Sequence, residues 1–222
     1  MLRGILTVVV GTILYGVLLF GAAGRLDLPM FWAYIAVNFT TGLVGILVMA
    51  QRHPDLIQYR TKIGTSDIPD KLYQAALGVG LASHLVIAGL DGGRFHWSGS
   101  VPLAVQIAGL LGYGIGTSFS TWAGLVNPYF TPEVRIQEDR GQHVIQEGPY
   151  QFVRHPGYTG GLVFMLCSGI ALGSWWSVLP MALVVVTLIR RTALEDRLLQ
   201  QRLGGYVDYA GKVRFRLIPG VW

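Results

Sequence analysis

Charged side chains are scarce in this chain: they make up 13% of its 222 residues, whereas 52% are hydrophobic and the mean hydropathy is +0.48. Soluble domains carry roughly 25% charged residues, so the scarcity predicts a membrane protein. The alternation of apolar and polar residues typical of a transmembrane β-barrel is also lacking. The spans must then be α-helices, because lipid offers no partner to an unpaired backbone group.

Cysteine is nearly absent as well. Cys167 is the only one in the sequence, which excludes a disulfide framework and any Cys/His metal spacing. We therefore predict no metal and a structural role for this thiol. The net charge of +5 comes without the basic motif, interleaved with aromatics, of an RNA-binding protein, so no nucleic-acid partner is expected.

Long apolar runs are abundant. Residues 5–24, 28–50, 72–90 and 101–126 are each apolar over about 20 residues, the length that crosses a bilayer core. The first run leads through Gly21-Ala22-Ala23-Gly24 directly into the second, which predicts a retained helix and not a cleaved signal peptide.

A different pattern follows in residues 157–189. Two apolar halves, each short for a full crossing, flank Ser174-Trp175-Trp176-Ser177, and we predict a helical hairpin with this tetrapeptide at its turn or at the membrane interface. The predicted fold is therefore all-α integral membrane, with four spanning helices plus a C-terminal helical hairpin, about 5–6 membrane segments in all. The pattern of residues 190–204 predicts an amphipathic cytoplasmic tail helix that ends at Gly204-Gly205. We predict a short helix over residues 206–213 and an extended C-terminal segment after it.

Basic residues are placed unevenly along the chain. Only Arg25 and Arg94 lie in the two segments that would face outside, and the other 15 of the 17 lie in the N-terminus, the 51–71 loop, the 127–156 loop and the tail. The positive-inside rule puts these four regions in the cytoplasm. The membrane depends on the host, a plasma membrane in a prokaryote or the endoplasmic reticulum in a eukaryote. The C-terminal Pro219-Gly220-Val221-Trp222 matches no retention signal, so we expect a prokaryotic plasma membrane.

The most unusual polar cluster occupies residues 148–160, a turn rich in Gly and Pro that runs straight into an apolar helix. Pro156 suits the first turn of that helix, whose free N–H groups attract an anion, with His155 and Tyr158 as further donors. The alternative is that Arg154 and His155 only contact lipid headgroups.

Arg191 and Glu195 lie one helical turn apart and face the same way. One interpretation is an ion pair on the protein surface. The other is that Arg191 and Glu195 lie close to Arg154 and His155, because the helix that carries them follows the hairpin. A carboxylate and several cations at a membrane surface suit a zwitterionic ligand that offers an ammonium, a carboxylate and hydroxyl groups.

Four separated elements then occur in order: Gly-Pro-Tyr-x-x-Val-Arg-His-Pro-x-Tyr-x-Gly at 148–160, Arg191-x-x-x-Glu195-Asp196, Gly205-Tyr206-x-x-Tyr209-x-x-x-Val213, and Arg216-x-x-Pro219. Together with the hairpin they resemble the isoprenylcysteine carboxyl methyltransferase family and share parts of the phospholipid methyltransferase pattern. The resemblance covers about residues 127–222 and does not extend to the scaffold helices of 1–126, within one membrane domain.

The resemblance implies S-adenosylmethionine as cofactor, with S-adenosylhomocysteine as product. The implied cofactor-binding positions are Gln137, Gln142, His143, Val144, Ile145, Tyr150, His155, Pro156, Gly157, Tyr158 and Glu195. Arg135 is a rival for the position of Gln137, and Gln142 stands where the prenylcysteine enzymes resemble one another in carrying His. Arg191 matches a position near the methyl acceptor, which predicts a catalytic group of Arg191, Arg154 and Glu195.

The acceptor stays open at this point. An arginine would hold a carboxylate at the sulfonium, whereas a lipid amine or thiol would need a base such as His155 or Glu195. Either acceptor, if lipophilic, would enter from the bilayer among the membrane lipids. The alternatives are a membrane sterol-type reductase using NADPH, which usually has an acidic residue where this chain has Gly160-Gly161, and a non-enzymatic membrane protein. His84 within a span is expected to be packed and not to relay protons.

Overall fold

The computed structural model describes residues 1–52, 66–68 and 70–222, and within them every regular element of secondary structure is a helix. Its α-helices are α1 (Leu2–Ala23), α2 (Pro29–Arg52), α3 (Lys71–Leu90), α4 (Leu103–Val126), α5 (Pro156–Ala171), α6 (Trp175–Arg202) and α7 (Tyr206–Lys212). A π-helical turn (Asp91–Phe95) extends α3, and two 3₁₀ turns (Glu138–Arg140 and Gly148–Gln151) interrupt the segment before α5.

Five of the helices are long and apolar enough to cross a membrane: α1, α2, α3 with its π-helical turn, α4 and α6. The four spans expected from the apolar runs are confirmed, and so is the all-α integral membrane class. Arg60 and Lys62, which contributed to the predicted orientation of the 51–71 loop, lie outside the described residues.

The hairpin prediction is right in the order and direction of its two helices and wrong in the length of the second. Helix α5 has 16 residues, but α6 has 28 and is long enough to cross by itself. The predicted separate tail helix over 190–204 is the polar end of α6, because no Gly or Pro interrupts the chain between Met181 and Leu203. Ser174 caps α6 by accepting from the Ser177 N–H at 3.2 Å, so the tetrapeptide does lie at the turn.

The C-terminal end is not extended as predicted. Only the backbone around Phe215 and Arg216 runs alongside another segment, accepting from the N–H groups of Arg154 at 2.9 Å and His155 at 3.0 Å. The chain then turns at Gly220, which has a φ of 80°, and three N–H groups donate to the Trp222 carbonyl. Proline followed by glycine explains the turn, since glycine adopts this left-handed conformation without strain.

Glycine allows α4 and α5 to pack closely. A Cβ on Gly116 would lie 2.6 Å from the Phe164 nitrogen, and one on Gly160 would lie 2.5 Å from the Gly116 carbonyl oxygen. Small residues at such positions let membrane helices approach and gain dispersion contacts. Cys167 packs against Gly112 in the same interface, in keeping with a structural thiol.

The end of the bundle opposite the polar segment is held by a buried carboxylate. Asp91 accepts from the Ser98 hydroxyl at 2.5 Å and from the Ser174 hydroxyl at 2.6 Å, which joins the π-helical turn to the start of α6. His84 is fully buried nearby with Nδ1 2.9 Å from the Ser177 carbonyl oxygen, so this ring is packed as expected.

Candidate functional site

A polar cavity lies where the segment 127–155 folds over the start of α5, the polar end of α6 and α7. Its enclosed volume is about 90 Å³, and it opens to solvent. Ten of the predicted site residues line it: Gln142, His143, Val144, Ile145, Tyr150, Arg154, His155, Gly157, Tyr158 and Glu195. The sequence pattern therefore selected residues that the fold brings together around one cavity.

Asp196 is the fully buried centre of a hydrogen-bond cluster beneath this cavity. Its carboxylate accepts from Arg154 Nε at 2.7 Å and Nη2 at 3.1 Å, and from Arg216 Nε at 2.8 Å. The Tyr206 hydroxyl donates at 3.0 Å, and His155 Nε2 lies 3.3 Å away. Because a buried carboxylate is stable only when paired and hydrogen-bonded, this cluster locks the Arg-His turn against α6, α7 and the tail.

Arg154 is committed to that cluster. Besides Asp196, its Nη1 donates to the carbonyl oxygens of Val213 at 2.9 Å and Arg214 at 2.8 Å, so four of its five N–H bonds are used. The expectation that Arg154 holds an acceptor therefore does not fit its surroundings. The guanidinium instead fixes the tail to the turn that precedes α5.

Glu195 points the other way, into the cavity. The Tyr158 hydroxyl donates to its Oε2 at 2.5 Å, and its Oε1 lies 3.9 Å from His155 Nδ1. The Glu195 side chain keeps 22% of its surface exposed, whereas that of Asp196 is fully buried. Adjacent residues on a helix differ by about 100° in direction, which explains why one carboxylate is structural and the other meets the cavity.

Arg191 lies on the far side of Tyr158, against a second cavity. Its Nε donates to the Tyr158 hydroxyl at 3.0 Å, its Nη2 donates to the Pro132 carbonyl, and its Nη1 lies 2.9 Å from Asp70 Oδ2. The guanidinium also lies over the Tyr73 ring, 4.6 Å from the centroid.

This second cavity, the inner chamber, lies between α3, α5 and α6 and is mainly apolar. Its lining includes Tyr73, Leu77, Phe164, Met165, Leu188 and Arg191. Five residues line both cavities, namely Phe130, Thr131, Glu133, Gly157 and Tyr158. A polar and an apolar cavity therefore share one thin wall.

Three predicted residues do not line the polar cavity. Arg191 lines the inner chamber instead, and Pro156 is buried as the first residue of α5. Gln137 is buried, with its Nε2 donating to the Tyr129 carbonyl at 2.8 Å and its Oε1 accepting from Arg140 at 2.6 Å. Its rival Arg135 does line the cavity.

Sequence reasoning assigned no role to Asp196, Tyr206, Arg216 or Asp70. The first three stand inside the quoted motifs, and their spacing alone does not show that they meet around one carboxylate. Burial raises the pKa of the Tyr206 phenol, and the Asp196 charge raises it further, so this phenol remains a donor. Asp70 precedes a helix, where an aspartate normally signals an N-cap.

Fold and site define a multi-pass, all-α integral membrane protein with a polar cavity at one end of its helices. Residues 105–205 match the family model described as phospholipid methyltransferase. The chain is also 33% identical over 86 residues to protein-S-isoprenylcysteine O-methyltransferase B of Arabidopsis thaliana, covering 38% of this chain and 44% of that protein. Over these parts of its length the chain is similar to phospholipid methyltransferases and to a protein-S-isoprenylcysteine O-methyltransferase.

A probable protein-S-isoprenylcysteine O-methyltransferase of Oryza sativa subsp. indica is 32% identical over 91 residues, covering 38% of this chain and 45% of that protein. The chain thus spans less than half the length of the curated relatives it matches. These relatives are plant proteins, and the expected prokaryotic plasma membrane stays a prediction.

Proposed function

We propose that this chain is an integral membrane methyltransferase that uses S-adenosylmethionine and methylates a lipophilic acceptor. The observation that carries the proposal is the pair of cavities with a common wall at Gly157 and Tyr158. The polar lining of the outer cavity suits a small polar cofactor, and the mainly apolar lining of the inner chamber suits an apolar acceptor. The match to methyltransferase relatives supports the same class of reaction.

The donors and acceptors around the polar cavity fit the cofactor. The Glu195 carboxylate suits an ammonium group or ribose hydroxyls, and the N-terminal end of α5 suits a carboxylate because the helix dipole is positive there. Val144, Ile145, Leu198 and Leu199 supply apolar walls for a purine base. A Cβ on Gly157 would overlap the Phe130 ring, so glycine keeps this wall thin.

Methyl transfer needs little acid–base catalysis and depends mainly on the positioning of the methyl donor and acceptor. S-adenosylmethionine supplies an electrophilic methyl group on a sulfonium, so catalysis depends on alignment and electrostatics. Tyr158 contacts Glu195 on one side of the wall and Arg191 on the other, which couples the two cavities through one hydroxyl. The Asp196 cluster holds His155 and the start of α5 in position beneath them.

The polar cavity is assigned to the cytoplasmic side. The exposed basic residues Arg190, Arg197, Arg202, Lys212 and Arg214 all lie at this end of the molecule, where the positive-inside rule places an excess of positive charge. The inner chamber then lies within the bilayer, and an acceptor with a hydrophobic tail enters it from the lipid.

Calorimetric titration of the detergent-purified chain with S-adenosylhomocysteine, and in parallel with NADPH, tests the proposal. We expect micromolar binding of S-adenosylhomocysteine alone. Glu195→Gln should weaken this binding at least about tenfold, which corresponds to about 1.4 kcal/mol. Glu147→Gln is the matched control, because Glu147 is exposed and outside the cavity lining.

The alternatives give different titrations. NADPH binding alone would favour the reductase, and binding of neither ligand would favour a non-enzymatic protein.

A further inference from the structure

The C-terminal tail runs beside the start of α5 and in the same direction. The Arg154 N–H, before the helix, donates to the Phe215 carbonyl oxygen at 2.9 Å. The Thr159 hydroxyl, in the first turn of the helix, donates to the Leu217 carbonyl oxygen at 2.8 Å. Since the residue numbers of both partners rise together, the tail advances in the direction in which α5 enters the bilayer.

The short length of α5 sets the depth of these contacts. The helix has 16 residues, so it is about 24 Å long, whereas the hydrocarbon core of a bilayer is about 30 Å thick. Beyond its other end, α6 begins with Trp175 and Trp176, which are both exposed, and exposed tryptophans are typical of a membrane interface. With these tryptophans at one interface, the first turn of α5 reaches no further than the opposite interface, and the tail beside it lies at the same depth.

The end of the tail is apolar and bonds its own backbone. Residues 217–222 have no charged side chain, and the side chains of Ile218 and Val221 are exposed. The N–H groups of Val221 and Trp222 donate to the Ile218 carbonyl oxygen at 3.0 and 3.1 Å, and the Trp222 carbonyl oxygen accepts from three N–H groups. Because hydrocarbon offers no partner to backbone groups, such a turn suits contact with lipid.

Basic side chains precede this apolar turn. Lys212 and Arg214 are exposed, and neither side chain makes a hydrogen bond or an ion pair in the part of the chain that the structure describes. Arg216 is committed to the buried cluster beneath the polar cavity. Asp208 is the only acidic side chain in α7 and the tail. Apolar side chains next to uncompensated basic ones are typical of a segment that binds the surface of an anionic membrane.

We propose that residues 218–221, the tip of the tail, insert into the leaflet on the side of the polar cavity, and that Lys212 and Arg214 bind the head groups of anionic phospholipids there. This role goes beyond methyl transfer, because it requires neither cofactor nor acceptor. The same tail carries Arg216, whose Nε donates to Asp196 at 2.8 Å. Contact with lipid therefore also supports the residues beneath the polar cavity.

The depth of the tip is measured in lipid nanodiscs with a fluorophore on a single cysteine. In a Cys167→Ala background, Val221→Cys carries an environment-sensitive dye, and the phosphatidylcholine of the discs has brominated acyl chains, which quench a fluorophore on contact. We expect the dye at position 221 to lose fluorescence in the brominated discs. Gly204→Cys is the matched control, because a side chain there meets open space after the polar end of α6, and its dye should keep its fluorescence.

The preference for anionic lipid is measured by brominating one lipid at a time. Discs with equal amounts of phosphatidylcholine and phosphatidylglycerol carry bromine on either the neutral or the anionic lipid. We expect phosphatidylglycerol to be enriched at least about twofold beside the dye at position 221, and less so at high salt. The double variant Lys212→Gln/Arg214→Gln should remove the enrichment. Its control, Arg3→Gln/Arg52→Gln, removes the same charge from exposed positions on α1 and α2 and should preserve it.

Two results would overturn the insertion of the tip. One is an equal loss of fluorescence at positions 221 and 204. The other is an emission shift to shorter wavelength at position 221 without quenching by bromine, which would indicate a second copy of the chain at this surface. Equal quenching by the two lipids, or an enrichment unchanged in Lys212→Gln/Arg214→Gln, would overturn the binding of anionic head groups. The measurements use no cofactor, so they are independent of the methyltransferase assignment.

Discussion

Replacing Asp196 by asparagine tests whether the buried cluster holds together the helices and the tail around the polar cavity. The carboxylate is fully buried and accepts three hydrogen bonds from Arg154 and Arg216. Removing one partner of a buried ion pair costs about 3–5 kcal/mol, because the other charge is left uncompensated. We expect Asp196→Asn to lie near the lower limit, since the amide oxygen still accepts one bond and Arg216 is partly exposed to water.

The assay is thermal unfolding of detergent-purified protein, followed with and without S-adenosylhomocysteine. At about 2–4 °C per kcal/mol for a chain of this size, a loss of about 3 kcal/mol lowers the midpoint by about 6–12 °C. Asp208→Asn serves as the control, because Asp208 is exposed on α7. A midpoint for Asp196→Asn equal to that of the control would show that the cluster does not contribute as argued.

Two further substitutions test the helix packing and the donor beneath the cavity. Gly160→Ala should destabilise the fold by about 1–3 kcal/mol or more, because the new methyl group meets the α4 backbone, whereas Gly11→Ala faces open space and should leave the unfolding midpoint unchanged or slightly raised. Equal midpoints for the two variants would contradict the close packing of α4 and α5. Tyr206→Phe removes the hydroxyl donated to the buried aspartate and should cost about 1 kcal/mol in the same assay. A more stable Tyr206→Phe variant would show that this hydroxyl is not a net contributor.

The spans were predictable because a run of about 20 apolar residues has one favourable structure in lipid. The continuity of α6 was not, since the first charges at Arg190 and Arg191 look like the end of a membrane segment. In fact the helix continues out of the apolar layer and only its environment changes. A break in hydropathy marks the membrane surface and not the end of a helix.

The candidate site was predictable where residues lie in one local pattern, as around His155 and Tyr158. It was not predictable where the partners are distant. Asp196 pairs with Arg154 across 42 residues of sequence. Asp70, which precedes α3, pairs with Arg191 in α6. Sequence spacing could not tell which of the adjacent carboxylates, Glu195 or Asp196, would be buried, because that depends on how α6 is rotated against the tail.

The tail has a consequence for anyone who divides this chain into fragments. Residues recognisable as phospholipid methyltransferase-like end at 205, yet the backbone at Phe215 and Arg216 accepts from the turn before α5, and the Arg216 side chain reaches Asp196. A fragment cut at the family boundary would retain Glu195 and His155 but lose part of the support beneath them. The smallest piece able to form the complete polar cavity is therefore longer than the piece that sequence comparison recognises, and a fusion partner is better placed at the N-terminus.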